Sequence, residues 1–163
     1  TMSSIASAFA TYAQMPAQQD ETLNVIKITK LALDIFNEGY IYFTSEKNEV
    51  IIKFDRTQLM RVITNLVKNS IQAIHENHLE EPKIEVRVYQ DESFAIISVM
   101  DNGTGITDEN KAMVFEPKFT TKTSGMGLGL AMVKKIVETY GGEISFKTIK
   151  GEGTTFIVKL PLK

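Results

Sequence analysis

Asn65, Asn69 and Gln72 stand four and three residues apart in a stretch, Arg56 to about Asn77, whose apolar residues repeat with helical period. At about 100° per residue, Arg61, Asn65, Asn69 and Gln72 fall within about 80° of one another, with Gln58 and Lys68 beside them. Leu59, Ile63, Leu66, Val67 and Ile74 take the other side and would face a sheet. Amide oxygens one helical turn apart suit a hard cation whose main ligands are phosphate oxygens and water, as Mg²⁺ prefers. A solvated polar face would carry the same residues. Asn is a mediocre helix former, however, and two in one helix interior ask for a reason.

Asp101 follows directly on an apolar run, Phe94 to Met100, and opens the segment DNGTG. A carboxylate there can accept a hydrogen bond from an exocyclic amine, while Gly103 and Gly105 let backbone approach a flat ring. A β-turn also uses Asp-Asn-Gly, but it does not call for the second glycine or the apolar Ile106 behind it. Further on, Gly125, Gly127 and Gly129 alternate with Met126, Leu128 and Leu130 where a second helix begins. Free N–H groups at a helix start, at the positive end of the helix dipole, form a ready phosphate site. The spacing G-x-G-x-G follows a polar loop, so it is neither the dinucleotide fingerprint nor a P-loop. A glycine linker would lack the apolar residues between the glycines.

These residues need elements to hold them. A helical pattern runs over Leu23 to Phe36 and stops at Asn37-Glu38-Gly39. Tyr40 to Thr44 and Val50 to Phe54 read as a hairpin. The long helix follows, then strands at Lys83 to Gln90 and Phe94 to Met100. A polar loop leads to a helix over about Gly127 to Tyr140, broken by Gly141-Gly142, and to strands at Glu143 to Thr148 and Thr154 to Leu160. The expected fold is α/β, a two-layer sandwich with a mixed, mainly antiparallel sheet and helices on one face. The 163 residues, 43% hydrophobic and 23% charged, make an ordinary globular domain. A net charge of −2 offers nucleic acid no attraction, and the absence of cysteine excludes thiolate metal sites and disulfides. No apolar run reaches the ~20 residues needed to cross a bilayer, so a cytoplasmic location is expected, compatible with inner-membrane anchoring of a full-length protein. Thr1 precedes Met2, which leads us to expect an excised piece of a longer chain.

In order, these segments resemble the motif boxes of histidine kinase catalytic domains, within the wider ATPase group that includes gyrase, MutL and the heat-shock chaperones. NLVKNSIQAI (65–74) looks like the N box and DNGTGI (101–106) the first glycine box. VFEPKFTTK (114–122) looks like the F box, GMGLGLAMVKKIVETYGGEI (125–144) the second glycine box, and GEGTTFIVKLP (151–161) the last. The resemblance implies the Bergerat ATP-binding fold with a mobile lid at residues 107–126. It implies Mg²⁺ held by Asn69 with Asn65, and the adenine amine on Asp101 with Gly105 and Ile106 against the ring. Thr154 would assist through an ordered water, and Lys122 with the N–H groups from Gly127 through Leu128 and Gly129 to Leu130 would hold the phosphates. Gln72, Gly103, Phe115, Thr121 and Gly125 complete the implied nucleotide-binding set, and Asn65, Asn69 and Lys122 the catalytic one. Met126 stands where Thr or Ser is common, and Gln72 where many members carry a phosphate-facing Lys, which leaves Arg61 or Lys68 as substitutes. Residues 1–36 are similar to the end of a dimerisation helix and linker in nitrogen-regulation sensor kinases of the NtrY type, with 37–163 as the catalytic domain.

In the hydrolysing branches of the group, a Glu four residues before the metal-binding Asn activates water. Here that position is Asn65, an amide that takes no proton. The resemblance therefore favours transfer of the γ-phosphate to a histidine, over an ATP-hydrolysing or purely regulatory nucleotide-binding module. His75 and His78 lack the flanks of a phosphoacceptor, which places the acceptor outside this chain. The implied partners are ATP or ADP, the dimerisation and phosphoacceptor domain of the same kinase, and a response regulator receiver domain. The fragment itself would be monomeric.

Overall fold

Asp55 begins the element on which the site depends. Its carboxylate accepts the Gln58 backbone N–H at 3.1 Å, capping a helix, α2, over Arg56–Asn77. The helix ends where His78 turns left-handed, at φ 47°. Leu59, Val62, Ile63, Leu66, Val67 and Ile74 are buried, as the apolar stripe predicts. Gln58, read as part of the polar face, is buried as well. The computed structural model describes residues 18–117 and 129–163.

Ahead of α2 lie β1 (Asp20–Asn24), α1 (Val25–Leu33), β2 (Ile41–Ser45) and β3 (Ile51–Asp55). After it come β4 (Ile84–Asp91), β5 (Phe94–Asp101), the short α3 (Asp108–Lys111), α4 (Gly129–Thr139), β6 (Glu143–Ile149) and β7 (Gly153–Pro161). Five strands form one sheet in the order β2-β4-β5-β7-β6. Its β2–β4 pair is parallel and the rest antiparallel, so the sheet is mixed and mainly antiparallel as expected. Ile84, Val86 and Val88 of β4, Ala95, Ile97 and Val99 of β5, and Phe156, Val158 and Leu160 of β7 alternate into one core with the helices. Glu85 and Arg87 occupy the other parity and ion-pair at the surface.

The expected hairpin of residues 40–44 and 50–54 does not form. β2 runs parallel to β4, and β3 instead pairs antiparallel with β1 in a separate two-stranded sheet. Asn24 enforces this choice. Its Oδ1 accepts the N–H groups of Ile26 and Val50, each at 3.1 Å, capping α1 and pinning the start of β3 with one side chain. The first helix accordingly begins at Val25 rather than Leu23, because Leu23 and Asn24 are spent on β1.

Leu23, Val25, Ile26, Ile28 and Ala32 belong to the same core as α2 and the large sheet. The expected dimerisation-helix tail, residues 1 to about 15, lies outside the described residues. At the far end, Gly142 N–H bonds Val137 O at 3.0 Å and Gly141 N–H bonds Glu138 O at 3.0 Å, closing α4 at the glycine pair.

Candidate nucleotide site

Asp101 is the last residue of β5, directly opposite Thr154 of β7, and is 3% exposed. Its Oδ1 accepts the Gly103 N–H at 2.9 Å. Its Oδ2 is buried and has no hydrogen-bond partner, and neither has the buried Ser70 hydroxyl of α2. Burial raises the Asp101 pKa, while the Gly103 N–H, the nearby Ser70 side chain and the Thr154 backbone pull it the other way. Ser70 thus favours the charged form without closing a hydrogen bond of good geometry. A buried acceptor left open at this cost suits a donor supplied by a ligand.

The loop after Asp101 is built against α2. Thr104 N–H bonds the Ala73 carbonyl at 3.3 Å, and a Cβ on Gly103 would lie 2.7 Å from the Ala73 carbonyl carbon. Gly103 is therefore required by close approach rather than by turn geometry. Gly103→Ala should destabilise the chain by about 1–3 kcal/mol by overpacking and displace Asp101 from α2; urea unfolding beside nucleotide titration checks both. Gly105 takes φ +74°, and a Cβ there would run into the Ile149 carbonyl.

On the β6–β7 side, Ile106 N–H bonds Thr148 Oγ1 at 2.9 Å, and Thr148 donates to Gly153 O at 3.1 Å. Its proton is thereby used, so the Thr154 hydroxyl donates in the 2.9 Å contact between the two threonines. Thr154 keeps its lone pairs for another donor.

The amide face meets the second glycine motif at Gly129, where a Cβ would lie 3.5 Å from Asn65 Oδ1. Asn65, Asn69, Gln72, Gly129 and Leu130 are all half-buried. Of the two proposed substitutes for a phosphate lysine, Lys68 is exposed, whereas Arg61 is half-buried and its buried Nη1 has no partner. No acidic or histidine cluster suited to a metal occurs among the described residues. The amide oxygens of Asn65 and Asn69 are neutral donors, a set that fits Mg²⁺ only with phosphate and water as its other ligands.

Phe115 is placed differently. Its ring packs edge-on to Phe146 and Phe156 at 5.8 and 6.3 Å, with Lys134 Nζ 5.6 Å from its centroid. It also lines an open depression of about 540 Å³ on α4, which contains no other expected site residue. Thr121, Lys122, Gly125, Gly127 and Leu128 lie outside the described residues. Sequence reasoning missed Ser70, Ala73 and Thr148. Only the last had a usable signal, since a short glycine turn at 151–153 sets Thr148 opposite Thr154.

A family profile for the histidine kinase-, DNA gyrase B- and HSP90-like ATPases matches residues 54–163. The chain belongs to this family. Within it, this sensor-kinase ATPase domain is 33% identical to a putative NtrY-like sensor histidine kinase of Rickettsia conorii, over 98% of the chain and 27% of that protein. It is 39% identical to the sensor histidine kinase ZraS of Escherichia coli K12, over 77% of the chain and 26% of that protein. The chain thus spans about a quarter of the length of these relatives. Among solved structures, a nucleotide-free catalytic domain of the histidine kinase ThkA matches with a TM-score of 0.76 at 30% identity, covering 89% of the chain and 97% of that domain. ThkA in complex with the response regulator TrrA matches with a TM-score of 0.81 at 25% identity, covering 99% of the chain and 47% of that protein. The α/β fold with a mixed sheet is that of histidine kinase catalytic domains.

Proposed function

We propose that this domain binds Mg-ATP and presents the γ-phosphate to a histidine on a separate dimerisation domain, for relay to a response regulator. One observation carries the reading: the unpartnered Asp101 Oδ2, buried at a strand end beside the helix that bears the asparagines. It is the acceptor that an adenine amine would complete.

The other roles are those that the family resemblance implies. Gly105 and Ile106 would flank the ring and Thr154 would assist through an ordered water, while Asn69 and Asn65 would hold Mg²⁺. When bound, that ion neutralises charge on the phosphates. Arg61 takes the phosphate-facing role that Gln72 cannot fill, since its buried guanidinium nitrogen has no partner. Lys122 and the N–H groups around Gly129 hold the remaining phosphate oxygens. Catalysis is positioning and charge stabilisation, and position 65, being an amide, supplies no base to activate water. His75 and His78 lie at the C-terminal end of α2 and lack the flanking residues of a phosphoacceptor, so the acceptor of this reading is on a separate domain. Residues 37–163 make the catalytic domain of this reading, with Leu23, Val25, Ile26, Ile28 and Ala32 of the preceding segment packed into its core. Among the described residues no helix is long and apolar enough to cross a membrane.

Titration calorimetry with ATP and ADP tests this directly. Binding with a dissociation constant on the order of micromolar, strengthened by Mg²⁺ and without self-phosphorylation, is expected. A flat titration would remove the reading, and robust acid-labile phosphate on this chain alone would remove the separate acceptor.

A further inference from the structure

Tyr140 immediately follows α4, and its side chain meets two other elements. Its ring stacks on Phe54 of β3 at a centroid distance of 3.7 Å and an interplanar angle of 17°. Its hydroxyl accepts the Asp55 backbone N–H at 3.0 Å and donates to Asp20 Oδ1 of β1 at 2.5 Å. Asp55 is the residue that caps α2, and its other carboxylate oxygen accepts the Gln19 N–H at 2.8 Å. One hydroxyl therefore joins β1, the residue that caps the asparagine helix, and the end of the helix that starts beside Asn65. The Arg56–Glu21 ion pair at 3.0 Å and the Lys163 Nζ bond to Thr22 at 3.0 Å hold the same strand in place.

The helices α2 and α4 share the apolar core, and two features mark the ends of their interface. Asn65 Oδ1 stands 3.5 Å from where a Cβ on Gly129 would lie at one end, and the Asp55 backbone N–H meets the Tyr140 hydroxyl at the other. The eleven residues of α4 span about 16 Å at 1.5 Å per residue. A displacement at Tyr140 along the axis of a stiff helix this short reaches Gly129 with little loss. Burial and the Asp20 hydrogen bond raise the Tyr140 pKa to about 12, so the hydroxyl keeps its proton throughout the physiological range.

We propose that Tyr140 is a positioning residue for the nucleotide site, through which the chain entering at Asp20 sets the register of α4 against the Asn65–Asn69 face of α2. The inference rests on the nucleotide-binding reading above. It makes β1 a means of tuning nucleotide affinity without touching the nucleotide.

A double-mutant cycle on this chain decides the matter. Asp20→Ala, Tyr140→Phe and the double variant are titrated with Mg-ATP at a temperature where thermal melts show each fully folded. Tyr140→Phe keeps the stacking on Phe54 and removes only the hydroxyl. Each single variant is expected to bind about threefold to tenfold more weakly, with the double variant no weaker than either. Asp20→Asn, which retains an acceptor at an exposed position, should bind like the wild type. Faster amide exchange in the first turn of α4 should accompany the weakened variants. Lowered melting temperatures with affinities within about twofold of wild type would reduce Tyr140 to a structural contact and overturn the proposal. Additive losses would overturn it too, because Asp20 and Tyr140 would then act separately. Failure of the nucleotide reading would appear in the wild type, whereas failure of this proposal appears only in the variants.

Discussion

Asp101→Asn should weaken ATP and ADP binding about 5- to 150-fold, equivalent to about 1–3 kcal/mol, while raising the thermal midpoint of the nucleotide-free chain. The opposite signs come from the same atom. Oδ2 is a buried acceptor without a partner, and its charge is unfavourable until a donor arrives. Asn keeps the oxygen that receives the Gly103 N–H at 2.9 Å but places an amide N–H₂ where the adenine amine would donate. Two donors then face each other. Removing the charge relieves the empty site, and a gain of about 1 kcal/mol would move the midpoint by about 2–4 °C for a chain of this size. GTP discrimination should shrink, since the new N–H₂ can donate to a carbonyl at the same ring position. Calorimetry with the three nucleotides and a thermal melt check every part.

The raised Asp101 pKa fixes the direction of the pH dependence. The folded state holds this proton more tightly than the unfolded chain. Its contribution to stability is therefore full below the ordinary carboxylate pKa and is lost as pH rises through the raised folded value. Nucleotide affinity runs the other way, falling as acid protonates the oxygen that must accept. The Asn variant should lose this component of both profiles.

Asn69→Ala should abolish most of the magnesium dependence of nucleotide binding, on the order of 10- to 100-fold, and leave the magnesium-free affinity close to wild type. The amide lies on the half-buried face of α2, one turn from Asn65 and the start of α4, and takes no part in the cap or the core. Its removal should cost little stability, which separates a ligand from a packing residue. Titration in Mg²⁺ and in chelator gives the two affinities. Equal losses in both would assign Asn69 to the nucleotide itself, and no loss would remove it from the site.

Much of this architecture is written in short windows of the chain. The 22 residues of α2 carry their own period, cap and apolar stripe, and a reading of the residues alone places both asparagines and the buried face. Asp101 is marked by the buried strand before it and the glycines after it. β2 and β3 were legible as strands, but β1 and the pairing of all three were not. β1 and β3 pair antiparallel across the 27 positions from Asn24 to Ile51, with the Asn24 side chain holding Val50 beside the ladder, and nothing local distinguishes that from a hairpin.

The site divides along the same line. The residue types of the motifs, and so the chemistry available to them, were set by sequence. Which atoms are left open was a tertiary decision, because an unpartnered oxygen exists only after every neighbouring donor has been placed. Asp101 Oδ2, Ser70 and the three-way junction at Tyr140 all depend on strands and helices far apart in the chain. Periodicity and local propensity act within a few residues, whereas the closing of a hydrogen bond across a sheet or between helices is settled by packing.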